Sequence, residues 1–188
     1  MDGPHSFKEE YIETISMDPF KKKIMLLNNQ VHLQLWDICG ASGPNRKVRN
    51  QRSKRLSAIE QRTSAIEGRA FCSAAEGAII MFDLSKGPID LEHALRWKMW
   101  IEENLEQIDS KPIPVMLVGN KLDLCQDDLF DSNAVDNFQS RHGFSSWMAT
   151  SAKDGTSVMA AIELLAVRIM SSRMLPKRSE NGLASCFR

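Results

Sequence analysis

The 188-residue chain has four cysteines, one tyrosine and no long apolar run. Its cysteines are far apart in sequence, at Cys39, Cys72, Cys125 and Cys186. They form no C-x-x-C pair and no metal-ligand spacing, which favours reduced thiols over a disulfide framework or a zinc site. No run reaches the roughly 20 apolar residues that a membrane span requires. The opening MDGPHSFKEE lacks the apolar region of a secretory signal, so we expect none.

The chain also has no excess of charge of either sign, because Lys+Arg and Asp+Glu are equal at 24. This balance conceals one basic segment, residues 41–60, with six basic residues and one acidic residue, and therefore a local charge of +5. The segment lacks aromatic residues and apolar periodicity, which predicts a solvated inserted loop. A nucleic-acid-binding arm is an alternative, but no aromatic residues are interleaved with the basic ones, so nucleic acid is a disfavoured partner.

Apolar strands alternate with helical segments after an initial hairpin. The hairpin is expected from a strand at 20–27, a turn at Asn28-Asn29 and a period-two strand from Val31. Three further strands are predicted at 77–84, 115–118 and 144–150, and three helices at 88–108, 133–142 and 155–174. This alternation indicates an α/β fold with a doubly wound, mostly parallel sheet.

Polar clusters follow three of the predicted strands. They are Asp37–Gly40, Asn120–Asp123 and Thr150–Lys153. Ligands of doubly wound sheets bind at the carboxyl ends of the strands, so these clusters are the candidate binding residues.

The cluster N-K-x-D, at Asn120–Asp123, indicates a site for guanine. The Asp123 carboxylate can accept two parallel hydrogen bonds, from the N1–H and the exocyclic amine of guanine. Adenine presents the wrong pattern and would leave the carboxylate unpaired, at a cost of about 1–3 kcal/mol. The stem of Lys121 can lie along the base plane, and Asn120 can tie the loop to its neighbours. The cluster S-A-K follows the next strand, and the N–H of Ala152 would meet the guanine carbonyl.

These motifs resemble the Rab family of the Ras superfamily of small GTPases. Four blocks match in order: VHLQLWDICG, GAIIMFDL, VMLVGNKLDL and ATSAKDG. The segments GFSSW and KPIP most resemble the Rab subgroup of lysosome-related organelles. The segment EEYIETISMD resembles the Rab switch I. The resemblance covers about residues 7–40 and 61–172, and implies a Ras-like, P-loop NTPase-like fold.

The family resemblance implies GTP or GDP and Mg²⁺ as ligands. Asp37 would hold magnesium through water, Thr14 would coordinate it directly, and the Gly40 N–H would meet the γ-phosphate. Trp36 would be presented to Rab effectors and regulators. The guanine site would comprise Asn120, Lys121, Asp123, Ser151, Ala152 and Lys153.

The sequence departs from the family pattern because it contains no G-x-x-x-x-G-K-[ST] phosphate loop. It begins at about switch I, so we expect the first strand, phosphate loop and first helix of the fold to be missing. In the family, that strand lies between the hairpin and the strand at 77–84. Its loss would leave two open edges, which predicts a poorly stable or partner-dependent chain unless the edges pair with each other.

Further departures concern catalysis and membrane attachment. Ala41 occupies the family's catalytic glutamine position, and Gln61 is only a weak substitute because the inserted loop separates it from Gly40. Cys186 is third from the end and alone, so it is a weak candidate for lipidation. We expect a domain over 1–175 and a flexible tail over 176–188.

Two functional hypotheses remain open on the sequence. The first is a Rab-like GTP-binding protein of vesicle and membrane traffic, located in the cytoplasm or on the cytosolic face of endolysosomal or lysosome-related membranes. Its GTP affinity is expected to be weak and its GTP hydrolysis negligible, because the phosphate loop is missing and Ala41 occupies the position of the catalytic glutamine. The alternative is a nucleotide-independent remnant or isoform that acts only as a partner-binding module.

Overall fold

The computed structural model describes residues 7, 10, 17–38, 70, 73–107, 112–125 and 131–174. The elements within them are, in chain order, β1 (Met17–Leu26), β2 (Asn29–Ile38), β3 (Ala78–Asp83), α1 (Pro88–Gln107), β4 (Val115–Asn120), α2 (Ser132–Arg141), β5 (Ser146–Ala149) and α3 (Val158–Met174). This order confirms the predicted alternation of strands and helices. The basic segment 41–60 and the tail 176–188 lie outside the described residues, so the proposed domain limits stay predictions.

The hairpin forms as predicted, but its turn is displaced by one residue. Leu27 and Asn28, not Asn28 and Asn29, have positive φ angles, of 49° and 62°. Asn29 already pairs with Leu26 in the antiparallel ladder. In this register Ile24 lies opposite Val31, and both pack in the cluster that contains Ala166. The predicted turn was therefore wrong by one position.

The other three strands form one parallel sheet in the order β3-β4-β5. Residue pairs such as Ile80 with Leu117 and Gly119 with Ala149 define the register of β3 with β4 and of β4 with β5. In the centre, β4 is buried on both faces, as its unbroken apolar run predicts. Gly119 has no room for a side chain, since a Cβ there would lie 2.5 Å from Leu84 Cδ2.

Helices cover both faces of this sheet. On one face, α1 and α2 pack on β3 and β4 through a cluster that includes Leu91, Ile101 and Val135. On the other face, Ala161 and Leu165 of α3 pack on β4. The predicted doubly wound α/β architecture is confirmed.

The hairpin is a separate two-stranded sheet. It packs on α3 through Ile24 and Leu26, which contact Ala166 and its neighbours on that helix. Among the described strands, β2 pairs only with β1, and β3 pairs only with β4. The two edges that we expected to be open therefore do not pair with each other. In the same part of the chain, no helix is long and apolar enough to cross a lipid bilayer.

Candidate functional site

Two loops at the carboxyl end of the parallel sheet contain the predicted guanine-binding residues. One follows β4 and the other follows β5, and these strands are neighbours in the sheet. Their loops therefore emerge at the same edge, where ligands bind in folds of this kind.

The loop after β4 makes a sharp turn at Lys121, which has left-handed backbone angles of φ 68° and ψ 38°. A short 3₁₀ turn, Leu122–Leu124, follows directly and contains Asp123. The loop is held to the neighbouring segment because the Leu122 N–H donates to the Thr150 carbonyl, at 3.0 Å. This turn places Asp123 at the sheet edge with an exposed side chain.

The loop after β5 is closed by its own hydrogen bonds. Ser151 is 1% exposed, its N–H donates to the Thr156 carbonyl, and its carbonyl accepts from the Gly155 N–H. Asp154 accepts a 2.9 Å hydrogen bond from the Thr156 N–H, and hydrogen bonds from Thr156 lower the pKa of Asp154. Ala152 and Lys153 lie at the exposed apex of this closed loop.

Side-chain hydrogen bonds join the two loops. The Ser151 hydroxyl donates to Asp123 Oδ1 at 2.8 Å. The Ala152 N–H donates to Asn120 Oδ1 at 2.9 Å. Asn120 and Asp123 are thus each tied to the S-A-K loop, about 30 residues further along the chain. These bonds directly join four of the six residues expected at a guanine site, and the other two, Lys121 and Lys153, lie in the same loops.

This arrangement fits a guanine base in part. Ser151 binds one oxygen of the Asp123 carboxylate and so fixes the orientation of an exposed acceptor. An exposed carboxylate of fixed orientation is the group that can accept from the N1–H and amine of guanine. The Ala152 N–H is already donated to Asn120, so a guanine carbonyl would have to share or replace that bond.

The sequence analysis missed one residue at this edge, Asp83, at the end of β3. Its Oδ2 accepts a 2.7 Å hydrogen bond from the Lys121 ammonium group, although the residues are 38 positions apart. Its Oδ1 accepts from the N–H and hydroxyl of Ser85, at 3.0 and 2.6 Å. The rule that identified the other clusters, polar residues at the carboxyl end of a strand, applies equally to Asp83 and would have found it.

The charge of Asp83 is stabilised by these contacts. Burial by itself raises the pKa of this carboxyl group, but hydrogen bonds from Lys121 and Ser85 outweigh it and leave the pKa below the usual value. Asp83 is therefore ionised at neutral pH. The nearby Cys125 is a free thiol, and burial, then the charges of Asp83 and Asp123, raise its pKa.

The other predicted functional residues lie either in the hairpin or outside the described residues. Asp37 lies in the hairpin, opposite Asp18 of β1, and Trp36 beside it is 47% exposed. The remaining residues expected to have functional roles, Thr14, Gly40, Ala41, Gln61 and Cys186, lie outside the described residues. Their roles stay predictions.

Magnesium cannot be assigned a site from the described part of the chain. Of the two expected ligands, only Asp37 belongs to it, and a hard cation such as Mg²⁺ needs several oxygen ligands. Within the described ranges, no three acidic, histidine or cysteine side chains gather in a metal-binding group. The described residues do not by themselves make a magnesium site.

Comparison with known proteins agrees with this geometry. The sequence profile of the Ras family matches residues 60–171, more than half of the chain. Ras-related protein Rab-32 of Sus scrofa is 29% identical over 177 residues, which are 93% of this chain and 69% of the relative.

Two other relatives give similar alignments. Ras-related protein Rab-32B of Dictyostelium discoideum is 31% identical over 181 residues, covering 94% of this chain and 61% of its own length. Ras-related protein Rab-7L1 of Rattus norvegicus is 26% identical over 169 residues, which are 89% of this chain and 72% of the relative. The parallel sheet, the two joined loops at its edge and these similarities together show that the chain belongs to the Ras family of small GTPases, as a Rab-type member similar to Rab-32.

Proposed function

We propose that this chain binds the guanine base of GTP or GDP at the joined loops after β4 and β5. The observation that carries the proposal is the pair of hydrogen bonds from Ser151 to Asp123 and from Ala152 to Asn120. They hold a carboxylate and the loop beside it in a fixed arrangement before any ligand is present. A site organised in advance loses less entropy on binding.

We propose further that nucleotide binding is weak and that hydrolysis by the 188-residue chain is negligible. Backbone amides of a glycine-rich loop and its lysine supply phosphate contacts in P-loop proteins. The 188 residues contain no such motif, and Ala41 occupies the position of the catalytic glutamine. The base site then provides most of the affinity. Vesicle and membrane traffic, on endolysosomal or lysosome-related membranes, is the cellular role that the Rab-type relatives support.

Two titrations test nucleotide binding. Guanosine added to ¹⁵N-labelled protein should shift the amide resonances of Ala152 and Asp123, whereas adenosine should not, because it cannot satisfy the Asp123 carboxylate. Isothermal titration with GTPγS and Mg²⁺ should give a Kd weaker than about 10 µM. Absence of guanosine-specific shifts would refute the base site. A nanomolar to low-micromolar Kd for GTPγS would show instead that other residues bind the phosphates.

The alternative function, a nucleotide-independent partner-binding module, is favoured by the exposed surface of the hairpin. Trp36 is 47% exposed, and Met25, on the same face of the paired strand, is 64% exposed. If this alternative is right, a Trp36→Ala chain should lose bound Rab effectors or regulators to the same extent with GDP, with GTPγS or with neither. A switch protein should bind such partners only with one nucleotide.

A further inference from the structure

We propose that Asp83 is a positioning residue for the base site, which holds the Lys121 ammonium group so that the lysine stem is ordered before guanine binds. This inference rests on the proposed guanine-binding function and extends it to a residue outside the N-K-x-D and S-A-K motifs. Asp83 would not touch the nucleotide and would act through Lys121.

The contact between the two residues has the geometry of a strong, partly buried ion pair. Lys121 Nζ lies 2.7 Å from Asp83 Oδ2, within the range of charge-assisted hydrogen bonds. The Asp83 side chain is 9% exposed and that of Lys121 is 49% exposed. Solvent therefore reaches about half of the Lys121 side chain, along which a base would have to lie, but hardly reaches the carboxylate that anchors it.

Asp83 is itself fixed in place by the elements around it. Ser85 donates two hydrogen bonds to Oδ1 of Asp83. The backbone N–H of Asp83 donates to Oδ2 of Asp90, in the first turn of α1, at 2.9 Å. A second cation, Lys86, lies 3.7 Å from Oδ2 and is 60% exposed. The groups around Asp83 are thus Lys121, Lys86, Asp90 and Ser85, of which Lys121 makes the shortest contact with Oδ2.

Lys121 is consequently held at both ends. Its backbone is in the left-handed conformation that begins the turn bearing Asp123, and the turn is tied to Thr150. Its ammonium group is tied to Asp83. A free lysine side chain has many rotamers, and ordering them opposes binding. Because the protein has already restricted them, a base that packs on the stem gains affinity.

The test compares guanosine and GDP binding to Asp83→Asn with binding to the unaltered chain. The asparagine keeps the size of the side chain and an acceptor for Ser85, but loses the charge that binds Lys121. We expect guanosine and GDP to bind more weakly by the same factor, about 5–10, because the Lys121 stem that loses its order would contact only the base, which the two ligands share. Lys86→Met removes the other nearby cation and should leave both affinities unchanged.

A double-mutant cycle separates positioning through Lys121 from a general effect on the fold. Lys121→Met keeps a flexible stem but has no ammonium group, so it should weaken guanosine binding as much as Asp83→Asn does. The two changes together should weaken it no further, since both remove one interaction. A merely structural role of Asp83 would predict an additional loss in the double variant. If Asp83→Asn does not fold, Lys121→Met alone still tests whether an anchored stem is needed.

The outcomes distinguish this inference from the proposed function. If the unaltered chain shows no guanosine-specific shifts, the base site fails and the positioning role fails with it. If guanosine binds the unaltered chain, but Asp83→Asn or Lys121→Met binds it as tightly, only the positioning role is refuted. A third outcome is that Asp83→Asn binds GDP more tightly than the unaltered chain but binds guanosine with the same affinity. Asp83 would then compete with phosphate for Lys121, and the positioning role would again be refuted.

Discussion

Asp123 is the residue on which the proposed base preference depends. Its carboxylate is exposed at the sheet edge and is oriented by the Ser151 hydroxyl. An amide at this position would present one donor and one acceptor, a pattern that complements xanthine better than guanine.

We therefore expect Asp123→Asn to shift the preference from guanine toward xanthine nucleotides by a factor of about 10–100. Competition between XDP and GDP, followed by the amide resonance of Ala152, measures the shift. Ser140→Ala, an exposed change on α2, is the control for general effects on the fold. An unaltered preference would mean that Asp123 does not contact the base.

Asp83 gives the stability of the protein a defined dependence on pH. The pKa of Asp83 is lowered in the folded state. Its contribution to the free energy of unfolding is therefore complete above the unfolded-state pKa of about 3.9 and is lost as the pH falls through the folded-state pKa. We expect Asp83→Asn to reduce the free energy of unfolding by about 1–2 kcal/mol at pH 7.

The measurement is urea unfolding of both chains, followed by tryptophan fluorescence, from pH 7 down to pH 3. The difference between them should stay constant above about pH 5 and shrink below about pH 4. A difference that does not change over this range would contradict an ionised, hydrogen-bonded Asp83.

At the scale of single elements, the hairpin turn departs from local sequence preference. Leu27 is 75% exposed and has a φ of 49°, a conformation that leucine rarely adopts. Two consecutive residues with positive φ correspond to a type I′ turn, for which Asn-Gly is the preferred sequence. The present sequence therefore stores strain at the tip of the hairpin.

Replacing Leu27 and Asn28 by Asn and Gly should stabilise the hairpin by about 1 kcal/mol, since strain is relieved and no buried contact is lost. Hydrogen exchange of β1 and β2 amides measures the gain. The matched control is Asn29→Gly, at the position that the sequence pattern placed in the turn. It should destabilise the hairpin, because Asn29 lies in the ladder and its side-chain amide donates to the Leu27 carbonyl.

At the scale of the whole molecule, the two sheets are joined through α3. One set of its residues, including Ala161 and Leu165, packs on β4, and another, including Ala166, packs on the hairpin. Because the hairpin makes no strand pairing with the parallel sheet among the described residues, its attachment depends on this small second contact. Regions with few buried contacts open more readily than the core.

We therefore expect amides of β1 and β2 to exchange faster than those of β4. Ile24→Asp should release the hairpin and lower its protection by about 2–4 kcal/mol, while β4 is little affected. Met25→Asp, at the adjacent residue on the opposite, exposed face, is the matched control and should change little. Equal loss of protection in both sheets would show instead that the molecule unfolds as one unit.

Most of the fold could be worked out from the sequence because its signals are local. The apolar run around Leu117 predicts a strand covered on both faces, and the order of elements predicts a parallel sheet. The position of Asn120 and Asp123 after one strand, and of Ser151 after the next, brings them to one edge whatever the details of packing. The candidate base site could therefore be proposed from the sequence alone.

Other features required the folded arrangement, because they depend on contacts between distant segments. The ion pair of Asp83 with Lys121 joins residues that have no fixed spacing in sequence. The position of the hairpin turn is another such feature, because the expected and observed registers place the same residues of both strands on the buried face and the period-two pattern does not separate them. The separation of the hairpin from the parallel sheet is likewise a result of packing, since periodicity shows which face of a strand is buried but not which element covers it.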